Sequence, residues 1–256
     1  MLKTAAFQLT GVSVTNPALP ILTPLVPGVQ YRYRMLPVGA VALEDSSPAG
    51  NNAALFGGIS PDTNGLLFSG DSSQYADTGV LTEGSFTILG VVRPSIPGAG
   101  VPIGTFELNS AINFRVGTNV WFALSSGNPA LSCAIAVVQP GSPSTHRNFG
   151  LSIPGVSYTP GQWLLFAHQY DVASRTQRFF VGSTDNFRSE QHPSNEAFVP
   201  SEKTTRIGRV PGAPSYAFNG DVAYAAQWNS MLSLDDLAQQ FSAVRSDLAR
   251  RGINIP

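Results

Sequence analysis

The stretch FNGDVAYAAQWNSMLSLDDL, residues 218–237, holds two incompatible periodicities side by side. An apolar, β-prone run passes through Trp228 and Asn229 and turns at once into an amphipathic helix. Ser233 stands where an N-cap belongs, with Asp236 three positions on and Asp235 also in the first turn. Those residues satisfy orphan N–H groups and match the positive end of the helix dipole. Leu234, Leu237, Phe241, Val244 and Leu248 recur at spacings of three and four and form one stripe. Arg245, Arg250 and Arg251 crowd the other end, where cations are favoured, and Gly252 supplies a stop. The reading is a helix over 233–251, launched directly from the last strand of a β domain.

Upstream, strand patterns dominate. The chain carries 25 glycines and 20 prolines, and they punctuate short runs rich in Val, Ile, Phe and Thr, the layout of a sandwich or barrel. GLLFSGDSSQYADTG predicts a strand at 65–69, a polar turn and a short strand near Tyr75. SFTILGVVRP (85–94) is apolar on both alternating faces and predicts a central strand buried on both sides. GQWLLFAHQYDVASRTQRFFVGS predicts a hairpin, with strands at 162–170 and 176–182 around a turn at 171–175.

At 256 residues with one cysteine, Cys133, the chain is long enough to bury a core without staples, and no intrachain disulfide can form. The net charge is -1 and only 12% of residues are charged, so the basic stripe that phosphate neutralisation requires is missing and nucleic acid is not an expected partner. No run approaches the roughly 18 charge-free apolar residues of a membrane span. The opening MLKTAAFQLTGVSV lacks a continuous apolar core, and no export leader is expected. Residues 1–30 read as an extended arm: prolines at 17, 20, 24 and 27 each remove a donor and restrict the residue before them. Leu19, Ile21, Leu22, Leu25 and Val26 make this arm too apolar for a solvated linker. It lies either along its own domain or on a neighbouring subunit. The remainder, 31–256, reads as one domain that includes the helix.

Several segments line up in order with one family. EDSSPAGNNAALFGG (44–58), GLLFSGDSSQYADTG (65–79), SFTILGVVRP (85–94), GQWLLFAHQYD (161–171), FFVGS (179–183), TRIGR (205–209) and the opening stretch form the series. Over residues 31–251 the chain resembles the concanavalin A-like jelly-roll superfamily, particularly its laminin G-like and pentraxin-like branch. The resemblance implies an all-β antiparallel sandwich closed by one C-terminal helix, with Trp163 and Trp228 as core fillers. It is also similar to domains found in bacteriophage virion proteins.

Tests for chemistry return little. Glycosidases need two carboxylates on one strand face about 5–5.5 Å apart for retaining hydrolysis. Glu44 and Asp45 are adjacent and point to opposite faces, while Asp235 and Asp236 belong to the helix start. There is no Gly-x-Ser-x-Gly elbow, and His146, His168 and His192 are isolated in the sequence. With one Cys and no close His pair, zinc has no ligand set. The resemblance raises calcium, for which Asp71, Asp77 and Asp221 are available, but turn capping is the preferred role and Ser69 stands where the family carries Asp. No enzyme, metal or cofactor is expected.

Two functions follow. The first is a virion structural protein, a phage capsid decoration or tail component that binds capsid or tail subunits and further copies of itself through the arm and the sandwich. Its place would be the virion surface, after assembly in the host cytoplasm. The second is a carbohydrate-binding module using loops around 95–110, 139–150 and 184–200. Phe187, Phe198, Tyr216 and Asn219 are its candidate contacts, with Asn186 and Asn195 beside them.

Overall fold

The computed structural model describes residues 26–35, 44–62, 64–109, 114–139 and 142–256. Leu19, Ile21, Leu22 and Leu25 lie outside them. Among the described residues the strands run, in order, β1 (Val29–Arg34), β2 (Ala54–Phe56), β3 (Ser60–Asp62), β4 (Gly65–Ser69), β5 (Tyr75–Asp77) and β6 (Phe86–Pro94). Next come β7 (Gly100–Gly104), β8 (Glu107–Asn109), β9 (Phe114–Val116), β10 (Thr118–Ser125), β11 (Asn128–Gln139) and β12 (Ser142–Ser152). The last are β13 (Leu164–Asp171), β14 (Thr176–Val181), β15 (Phe187–Gln191), β16 (Ala197–Phe198), β17 (Arg206–Ile207) and β18 (Asn219–Trp228), followed by helix α1 (Leu234–Arg250).

Apart from β8 and β9, which pair with each other, they form two antiparallel sheets packed face to face. The first runs β15-β14-β13-β6-β18-β4-β3, and the second β12-β11-β10-β7-β17-β5-β2. β18 organises the first sheet. One edge pairs with β6 along its length, while the other is shared, β4 taking residues 219–222 and β1 taking 224–228. Inward residues of both sheets, among them Tyr31, Phe68, Ile88, Phe122, Phe166, Phe179 and Phe218, make the main core. β6 is buried on both sides as its pattern predicts: Phe86, Ile88 and Val92 face the other sheet, whereas Leu89 and Val91 face the helix.

The helix lies on the outer face of the first sheet, where Leu237, Phe241, Val244 and Leu248 meet Leu165, Phe180, Ala226 and Trp228. Trp228 therefore fills the sheet–helix layer and not the space between the sheets, since alternation along β18 turns Gln227 inward and Trp228 outward. Trp163 belongs to the same outer layer. Leu234 departs from its expected place: it is exposed in the first turn, and Leu232, just ahead of the cap, is buried instead. The caps form as read. Ser233 Oγ accepts from the Asp236 N–H at 3.1 Å, and the Ile253 and Gly252 N–H groups return to the carbonyls of Leu248 and Ala249. Gly252 adopts φ +77°, the left-handed conformation that closes a helix in this way.

The abrupt passage from strand to helix has a specific anchor. Thr87 on β6 and Gln169 on β13 are cross-strand partners whose side chains point outward. Thr87 Oγ1 donates to the Ser230 carbonyl and accepts from the Leu232 N–H, while Gln169 Nε2 donates to the Leu232 carbonyl. The backbone of the five-residue connection is thus paired with the sheet below it.

β1 begins at Val29, and Val26 and Val29 pack against the helix-side cluster, so the body of the domain starts before residue 31. The stretches read as ligand loops hold β7 and β8, most of β12, and β15 and β16. In β7, GVPIG looks like turn sequence, yet all five residues are buried because β10 and β17 pair with its two edges.

Candidate functional site

The four predicted glycan contacts do not converge. Phe198 is half-buried against the core, with its ring beside Phe86 and Tyr170. Asn219 Nδ2 donates to the Ser69 carbonyl at 3.0 Å and closes the β4–β18 pair. Phe187 is exposed on the edge strand β15, stacked on Phe180. Tyr216 is half-buried on the outer face of the second sheet, against Trp121 at 4.8 Å, with the Arg115 guanidinium 5.0 Å from its ring. Asn186 ties a turn through the Val181 carbonyl, and Asn195 is exposed in the loop before β16.

The titratable groups weighed for chemistry are held elsewhere. Asp71 accepts from the Ser73 N–H at 2.7 Å and caps its own turn, which lowers its pKa. Asp221 pairs with Arg93 at 2.8 Å directly across β6–β18, and that guanidinium lies 5.0 Å over the Trp163 ring. Asp45 accepts from the N–H groups of Arg32, Ser47 and Asn51 and from the Ser47 hydroxyl, which makes the EDSSPAGNN segment a tied loop. No group of three or more His, Cys, Asp or Glu able to hold a metal occurs among the described residues.

His168 is fully buried between the sheets. Its Nδ1 faces Thr118 Oγ1 at 3.2 Å and its Nε2 faces Gln177 Nε2 at 3.1 Å. The amide can only donate, so Nε2 accepts and the ring proton sits on Nδ1, bonded to Thr118, whose own hydroxyl donates to Ala134. Burial, and then the charge of His192, lower the His168 pKa to about 3. Gln177 Oε1 in turn faces His192 Nε2 at 3.2 Å. Burial also pushes the Cys133 thiol upward. A neutral, water-excluded imidazole locked by two neighbours works as a strut between the sheets and offers a substrate nothing.

One surface cluster has the features of a binding site; the sequence offered its Asp77 only as a calcium candidate and its Tyr75 only as a strand marker, and it singled out neither Phe56, Arg206 nor Arg209. On β5 the buried Ala76 points into the core, so Tyr75 and Asp77 point outward. Pairing sets Phe56 of β2 opposite Tyr75, and the rings stack at 4.5 Å and 12°. Phe56 remains 43% exposed and Leu55 beside it 37%. On the other flank, Arg206 pairs with Asp77 across β5–β17, and its guanidinium lies 4.2 Å from the Tyr75 ring. Arg209 brings a second guanidinium to 4.8 Å. Gly208 lets the chain turn between them: its φ is +91°, and a Cβ there would stand 2.2 Å from the Phe68 ring. Two cations on one tyrosine is a costly arrangement. Arg209 is held below its ordinary pKa first by burial and then by repulsion from Arg206.

The pairings Ala76–Ile207–Ile103–Val120 place Tyr75 and Trp121 in one row across the sheet. The Tyr75 and Trp121–Tyr216 clusters thus share a face, three strand spacings or about 14 Å apart. Two grooves lie elsewhere. One of about 350 Å³ runs beside Trp163, Val156, Asn186 and Ile255 near the helix end. The other, about 290 Å³, lies beside Gln30, Thr82, Glu83 and Asn229.

No family model matches the chain, and no curated protein matches it. Solved structures do. Domain 4 of AbnA, a GH43 extracellular arabinanase from Geobacillus stearothermophilus, seen in complex with arabinotriose, superposes with a TM-score of 0.57 at 12% identity, over 83% of this chain and 97% of that one. The botulinum neurotoxin serotype G binding domain gives 0.57 at 13%, over 85% and 51%. The receptor binding domain of botulinum neurotoxin D gives 0.55 at 12%, over 85% and 53%. The chain spans about half of each neurotoxin domain. At these identities the likeness is one of fold, an antiparallel β-sandwich.

Proposed function

We propose that the chain is a non-catalytic recognition domain that binds carbohydrate on the outer face of its second sheet. The observation that carries this is the Phe56–Tyr75 stack: an exposed ring held flat by a second ring, flanked by fork-shaped donors. Sugars present C–H faces that pack on such a surface and hydroxyls that accept from guanidinium. A contiguous exposed apolar patch rimmed by polar groups is a mark of an interaction site. The arabinotriose bound to a domain of like fold supports the same reading. A glycan array of the purified protein tests it. Phe56→Ala and Tyr75→Ala are expected to reduce binding at least tenfold, about 1.4 kcal/mol, with little change in melting temperature for Phe56→Ala. Binding untouched by Phe56→Ala overturns the platform.

A second reading is favoured by the low charge content of the chain, 12% of residues: a virion component on a phage particle, contacting capsid or tail subunits and copies of itself. The two roles are compatible. Because Val26 and β1 belong to the body, the informative deletion is residues 1–25, and particle incorporation that survives it argues against the arm as the contact.

A further inference from the structure

From the way the two arginines beside Tyr75 are paired we infer that the saccharide taken by this platform is anionic, bearing a carboxylate or a sulfate. This rests on the carbohydrate reading above and narrows it. Two guanidiniums lie within 5 Å of the Tyr75 ring, and among the described residues the one carboxylate bonded to either is Asp77, 3.4 Å from Arg206 Nε. Asp77 is also shared, accepting from the Thr204 hydroxyl and the Gly79 N–H. Among the described residues Arg209 bonds only neutral groups, the carbonyls of Ser72 and Pro211. Its buried Nε has no hydrogen-bond partner. The acid of the neighbouring turn, Asp71, keeps its charge and directs its carboxylate to its own Ser73 N–H. The Arg209 guanidinium therefore has no carboxylate bonded to it among the described residues, and it stands beside an exposed ring on a chain with few charges.

A cation pressed against a like charge and short of one acceptor is the situation an anionic group relieves. A planar guanidinium meets a carboxylate through two parallel N–H···O bonds, and such charge-assisted pairs are about twice as strong as neutral ones. A neutral sugar can use the ring and leaves the charge unmet. The ring would hold the pyranose face while Arg209 takes the acidic substituent, so that stacking and charge act on one residue of the glycan.

The test is a matched pair of ligands: oligogalacturonate against the same oligomer as its methyl ester, with a sulfated galactan as a third arm, titrated against the full chain by calorimetry. Preference for the acid over the ester on the order of tenfold or more supports the inference, and the sulfated arm shows which anion is taken. Arg209→Gln is expected to abolish that preference while leaving any weak binding of the ester, with circular dichroism confirming the fold. Arg209→Lys, which keeps the charge and loses the fork, should recover only part of it. Equal binding of acid and ester overturns the anionic inference and leaves the aromatic platform standing. Binding of neither, with neutral glycans captured on the array, also overturns it. An equal loss of both ligands in Arg209→Gln assigns that arginine to packing and sinks its role in charge recognition.

Discussion

His168 shows how a residue that suggests catalysis becomes a structural one. Enclosed between the sheets with Thr118 and Gln177 on its two nitrogens, it has a folded pKa of about 3, against about 6.5 in an unfolded chain. Below pH 6.5 the unfolded chain takes up a proton that the folded one refuses. The contribution of this side chain is therefore complete above pH 6.5 and is lost as pH falls from there toward 3. The slope is at most about 1.4 kcal/mol per pH unit for one group. Urea unfolding between pH 4 and 7 is expected to show wild-type stability falling with acid more steeply than that of His168→Gln. Parallel curves would mean that the imidazole takes up its proton without leaving the core.

The helix shows how much of an element's docking depends on charge as well as on its apolar stripe. Along β1, Tyr31 and Tyr33 point into the core and Arg34 points out, toward the helix. There Asp247 accepts from Arg34 Nε at 2.8 Å and Nη2 at 2.7 Å, and from Arg250 at 2.9 Å. Arg251 donates to the carbonyls of Met35 and Asn64. Arg34 and Asp247 are mostly buried, 11% and 7% exposed at the side chain, so breaking the pair costs more than a surface bridge would. Asp247→Ala is expected to destabilise by about 3–5 kcal/mol, because the Arg34 charge stays buried. Replacing both partners, as in Arg34→Met with Asp247→Leu, should cost far less. Equilibrium unfolding of the three proteins decides it, and equal losses in single and double variants would refute the pairing argument. The caps and the three-and-four spacing made this helix legible in the sequence. Asp247 was not, because its partner lies 213 residues away.

At the scale of the molecule, the sequence exposed the layers better than the site. Long strands announced themselves by their apolar runs between turn signals, β6 and the β13–β14 hairpin above all, because a strand covered on both faces is apolar along nearly its whole length. The Phe56–Tyr75–Arg206–Arg209 cluster left none: its residues stand on strands of two or three residues and just past one of them, and only pairing of β2, β5 and β17 brings them together. ALFGG, an apolar pair amid polar turn residues, and TRIGR, two arginines around a glycine, were the only local signals. The layering also has a consequence for stability. Leu237, Phe241, Val244, Leu248 and Ile253 cover the outer face of the first sheet, and burying such side chains contributes about 1.5–3 kcal/mol each. Their sum is on the order of 10 kcal/mol, comparable to the whole stability of an ordinary domain at about 5–15 kcal/mol. Truncation after Ser230 would also expose Leu89, Val91, Leu165, Phe180 and Trp228 together, a larger apolar patch than soluble monomers tolerate. The truncated chain is expected to lose its near-ultraviolet dichroism and to elute as aggregate in gel filtration. A soluble monomer with wild-type unfolding midpoint would show instead that the two sheets alone hold the fold and that the helix is an accessory to them.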